Sequence, residues 1–133
     1  MSDSIDKTLT ELEGNDWGEP AFDSHLVTTI HKLRYKPIGN FTIEDLRIAI
    51  GQSVGLLHLI PLAVAQLESE PLAEGDFYPG DLLRNVISID DAFWRSQNDL
   101  LARMLPVVTS ARDSTGDDEI RDKCAAFTAR WTP

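Results

Sequence analysis

A chain of 133 residues with 42% hydrophobic side chains has the size of one domain and enough apolar mass to bury a core. Its formal charge of −10 repels phosphate, which argues against nucleic acid and anionic membrane surfaces as partners and favours encounter with basic proteins. A single cysteine, Cys124, rules out an internal disulfide and a cysteine-rich metal site.

Met1 to Lys7 is polar and is expected to fray. The opening MSDSIDKTLTELEG lacks the basic and apolar regions of a secretory signal. The longest apolar run, Leu56 to Leu67, holds His58 and Pro61 and is too short to span a bilayer. These features lead us to expect a cytoplasmic protein with one domain over residues 1–133.

Thr8-Leu9-Thr10-Glu11 has the form of a capping box, which predicts a short helix stopped by Gly14 and Asn15. Trp17 follows in an irregular stretch and is expected to anchor on the core. Ser24 caps a predicted helix to about Tyr35, with Leu26, Ile30 and Leu33 forming its apolar stripe. His31, Lys32, Arg34 and Lys36 gather at its C-terminal end, where positive charge suits the helix dipole. Pro37 prevents continuation, and Gly39-Asn40 signals a turn.

Thr42 opens the next predicted helix with Asp45 completing a capping box, and Ile43, Leu46 and Ile50 form its stripe. Gly51 and Gly55 mark a break or a close helix contact. Leu56 to Glu68 has no polar face before Gln66, which predicts the central, most buried helix, kinked or restarted at Pro61. Pro71 ends it, and Ala73 to Asp81 reads as loop. Asp81 is the expected N-cap of a helix over 82–89. A further helix is predicted from about Asp91 to Ala111, kinked or split at Pro106. Asp113 to Gly116 is a turn, and Asp117-Asp118-Glu119 begin a last helix with the stripe Ile120, Cys124, Phe127 and Trp131. No segment alternates with the period of a strand. The fold class is all-α, with six or seven helices around one central apolar helix.

No stretch has the spacing of a catalytic or metal motif. His25 and His31 are six residues apart, on different sides of one helix, and His58 among leucines reads as a core residue. Cys124 falls on an apolar stripe and reads as a small hydrophobe. Glu70, Glu74, Asp76 and Asp81 do not follow the alternating ligand pattern of a calcium loop. The expectation is no cofactor, no metal and no catalytic residue. Phe77 and Tyr78 allow two readings. Both rings fold back to pin the loop, or together with the acids around them they form an anchor for a partner.

The ordered set ELEGNDWGEP, FDSHLV, KLRYKPIGNFTIEDLRIAIGQSVGLLHLIPLAVAQL and PLAEGDFYPGDLL resembles the all-helical immunity proteins of contact-dependent growth inhibition (CDI) systems. The likeness runs from about Leu9 to Trp94. LRIAIGQ with the following GL..LIPLA, and EGDFYPGDLL, are its most specific elements. Residues 95–133 match more loosely.

The resemblance implies a cytoplasmic protein that binds the C-terminal toxin domain of a CDI effector, a basic RNase or DNase, as a 1:1 complex. Inhibition would be by occlusion, without catalysis. The expected partner-binding residues are Glu70, Glu74, Asp76, Tyr78, Asp113, Asp117, Asp118 and Asp122. The same resemblance allows Asp76, Phe77, Tyr78 and Asp81 to brace the fold instead, with toxin contacts drawn from the Asp113 to Asp122 segment or from near Glu11 to Asp23. An acidic helical adaptor for another basic protein is the alternative.

Overall fold

The computed structural model describes residues 5–14 and 25–132. Among them are eight α-helices: α1 (Leu9–Glu13), α2 (His25–Leu33), α3 (Ile43–Gly51), α4 (Leu56–Ser69), α5 (Asp81–Val86), α6 (Asp91–Ser96), α7 (Asn98–Ser114) and α8 (Asp118–Trp131). The 3-10 turn Ile38–Asn40 joins α2 to α3. There is no strand among the described residues, only an isolated bridge between Glu74 and Pro79. The all-α expectation holds. No helix of the described residues is long and apolar enough to cross a membrane. Trp17 and the Ser24 cap fall outside the described residues.

Local signals explain most helix starts. Thr8 and Thr42 both close reciprocal capping boxes, with Glu11 and Asp45 respectively. Asp90 and Asp117 cap α6 and α8 by accepting the N–H of Ala92 and Ile120. Gly14 ends α1 in the left-handed conformation. The glycine pair marks a break and close contacts alike. Gly51 is the last residue of α3 and lies against Asn85, while Gly55 precedes α4 with φ 63°. A Cβ on Gly55 would sit 2.7 Å from Leu9 Cδ2, and Leu9 is wholly buried.

Neither helix restarts or splits at its proline. α4 runs unbroken through Pro61 and α7 through Pro106. Each proline forfeits the hydrogen bond to the residue four before it. Those residues are Leu57 and Ala102, both exposed, so water can take the freed carbonyl. The predicted Asp91 to Ala111 helix divides at Gln97 (φ −128°, ψ 60°), not at Pro106, and this brings the α-helices to eight.

α4 is central in that it packs against α3, α5 and α7. Leu59, Ile60, Ala63, Val64 and Leu67 on it are wholly buried. It is not buried all round, because Leu57 is 61% exposed and Ala65, Gln66 and Glu68 also face solvent. His58 is half-buried and does not belong to the core. α8 packs along α7, burying Ile120, Cys124 and Phe127. Burial pushes the Cys124 thiol up, which disfavours the reactive thiolate.

The N-terminal strap is held more firmly than its polarity suggests. Ile38 N donates to Lys7 O, and Thr10 N to Arg34 O. The basic cluster after α2 is largely consumed by ion pairs. Arg34, 1% exposed, donates to Glu13 at 2.5 Å, and Lys36 to Asp45 at 2.6 Å.

Candidate partner-binding surface

The chain between α4 and α5 forms a loop built around Asp81. Sequence pattern makes Asp81 the helix cap, but Gly80 holds that position (φ 92°) and Asp81 is the first helical residue. Its carboxylate turns back into the loop. It accepts the backbone N–H of Gly75 at 2.7 Å, of Phe77 at 3.1 Å and of Tyr78 at 3.4 Å, while the residue is only 3% exposed. Glycine is required at two loop positions. A Cβ on Gly75 would lie 2.5 Å from Glu44 Oε1, and one on Gly80 would lie 2.7 Å from Ile120 Cδ1.

The loop is fastened to α3 by Glu44 and Arg47. Glu44 Oε1 accepts Asp76 N–H at 2.9 Å. Arg47 grips Glu44 with two bonds, Nε to Oε1 at 2.7 Å and Nη2 to Oε2 at 2.5 Å. Its Nε is also 3.9 Å from Asp81 Oδ2, and its guanidinium lies 4.4 Å from the centre of the Phe77 ring. Arg47 went unnoticed in the sequence, because its loop partners are remote along the chain. The only signal was that it is the last cation before Arg84.

The bond from Arg47 holds the Glu44 carboxyl below the usual carboxylate range, against the opposing effect of burial. A depressed folded-state pKa contributes stability above the unfolded value, about 4.3, and that contribution is lost as pH falls through the lower folded value. Glu44→Gln is therefore expected to flatten the acid limb of urea midpoint against pH. An unchanged limb would show that the pair adds nothing to folding.

The two aromatics separate. Tyr78 is half-buried and packs on the core, as the pinning reading expects, whereas Phe77 is 66% exposed. Tyr78 lies beside Arg84 and is the largest influence raising its pKa. Arg84 in turn donates to Glu119 at 2.8 Å. Tyr78, Arg84 and Glu119 therefore link the loop to α5 and to the first turn of α8. The two acidic segments adjoin at this point.

Of the expected site residues, Glu74 and Asp76 are exposed on the loop. Asp117 is exposed and spends one oxygen capping Ile120. Asp118 is 91% exposed and pairs with Arg121 at 2.6 Å. Asp122 is exposed with no ion pair among the described residues. Glu70 is exposed at the C-terminal end of α4, and Asp113 is exposed in the last turn of α7 beside Arg112. No three His, Cys, Asp or Glu side chains of the described residues gather as a metal site would.

The helical body thus presents a braced loop and an acidic helix start side by side. A family model of CDI immunity proteins matches residues 11–104, and the chain belongs to that family. Its role is immunity against a CDI toxin. The match takes in the whole loop and stops within α7, so α8 lies outside it. No curated protein and no solved structure matches the chain.

Proposed function

We propose that this immunity protein neutralises the C-terminal toxin domain of a cognate CDI effector by covering its active site or substrate groove. The complex is 1:1 and forms in the cytoplasm. The toxin is a basic nuclease, an RNase or DNase, and the immunity protein performs no catalysis of its own. The observation that carries this reading is how the charge is distributed. Of the 12 basic side chains, eight are in ion pairs within the protein: Arg34, Lys36, Arg47, Arg84, Arg103, Arg112, Arg121 and Arg130. The acidic excess is left at the surface, where Glu70, Glu74, Asp76 and Asp122 have no ion pair among the described residues. A nuclease holds phosphate in a positive groove, and carboxylates on a rigid body imitate that ligand.

The test is co-expression with the toxin domain encoded directly upstream. The pair is expected to co-purify at 1:1 with nanomolar affinity, to restore growth, and to associate more slowly as salt rises. Binding no tighter than micromolar, with cells left sensitive, would sink the reading.

A further inference from the structure

We infer that Phe77 is the anchor by which this protein docks on its toxin, seated in an apolar pocket rimmed by Lys or Arg. The inference rests on the occlusion reading above and names its central contact. Phe77 is the most exposed large hydrophobic residue among those described, at 66%. A single exposed Phe means little by itself. This one is held in place from two sides. Its own N–H, with those of Gly75 and Tyr78, is fixed by the buried Asp81 carboxylate. Its ring rests on the Arg47 guanidinium at 4.4 Å, and Arg47 is clamped by Glu44.

The fold keeps an apolar ring in water and orders the cation beneath it, while the neighbouring Tyr78 already supplies the packing that pins the loop. The same arrangement favours binding. Ordering a loop and its side chains on association ordinarily costs affinity, and here both are set beforehand. Binding hot spots are typically aromatic or Arg side chains that enter a pocket and are ringed by residues that exclude water. Glu74 and Asp76, both exposed in the loop just before Phe77, put negative charge next to the anchor, and that charge selects a basic surround.

The experiment measures binding kinetics of the full chain to the toxin domain encoded directly upstream. Phe77→Ala is expected to weaken affinity by about 30-fold or more, through a faster off-rate, with Tm unchanged. Asp76→Asn is expected to act on the on-rate instead, and more so at low salt. Wild-type binding that is tight while Phe77→Ala binds equally well overturns the anchor and leaves the occlusion reading standing. A Tm loss in Phe77→Ala as large as that of a core substitution assigns the ring to the fold and also overturns it. Absence of wild-type binding overturns the occlusion reading itself.

Discussion

Replacing Asp81 by alanine is expected to cost about 3 kcal/mol of folding stability, measured as a fall in the urea midpoint at constant slope. The side chain is 3% exposed and accepts from three backbone donors, the N–H groups of Gly75, Phe77 and Tyr78. Each orphaned buried donor costs about 1–3 kcal/mol, and the loop recovers part of that by opening to water. Opening releases Phe77, so with Phe77 as the proposed anchor toxin affinity is expected to fall with stability. The informative comparison is Asp81→Asn. If Asp81 acted as the helix cap that its position suggests, Asn would replace it at almost no cost, because the two are equivalent caps. In its observed role Asn loses one acceptor oxygen and turns an amide NH2 towards backbone donors, a change worth about 2 kcal/mol. A neutral Asp81→Asn would therefore contradict the role seen in the structure.

Asp81 also shows where sequence reasoning stops. The caps at Thr8 and Thr42 were legible because donor and acceptor lie within three residues of one another. An acid before an apolar helix looks the same whether its carboxylate turns forward to the helix or back to the loop. The choice here depends on Gly80 taking a φ of 92°, which is a tertiary outcome. The same limit applies to Phe77 and Tyr78. Adjacent rings of similar hydrophobicity cannot be ranked by composition, and the backbone that turns one inward is set by Asp81. A kink or a break was expected at Pro61 and Pro106 because the lost bond is local, but whether water can replace it depends on which side of the helix faces the core. The acidic segments themselves were plain in the sequence. Their meeting through Tyr78, Arg84 and Glu119 was not, because it depends on how α8 packs.

α8 packs along α7, and Trp94 of α6 adds a second attachment through Phe127, whose weight Trp94→Ala is expected to reveal. Trp94 is wholly buried between Phe93 and Phe127, with ring centroids at 5.6 Å and 5.7 Å and both pairs edge-to-face. Phe127 continues to Trp131, so the cluster fastens α6 to the C-terminal half of α8. Removing the indole is expected to cost about 3–5 kcal/mol. Trp94→Phe is expected to cost far less than the lost volume alone implies, because the indole Nε1 is buried without an acceptor among the described residues and its removal relieves a desolvated donor. Hydrogen exchange is expected to show α8 losing protection first in Trp94→Ala and keeping it in Trp94→Phe. α8 carries Asp118 and Asp122 and lies outside the family match, so the variant tests the proposed role of those acids apart from that of the loop. If those acids contact the toxin, affinity falls in Trp94→Ala and survives in Trp94→Phe. A Trp94→Ala protein that binds as tightly as wild type while α8 exchanges freely removes α8 from the interface and leaves recognition to the loop around Phe77.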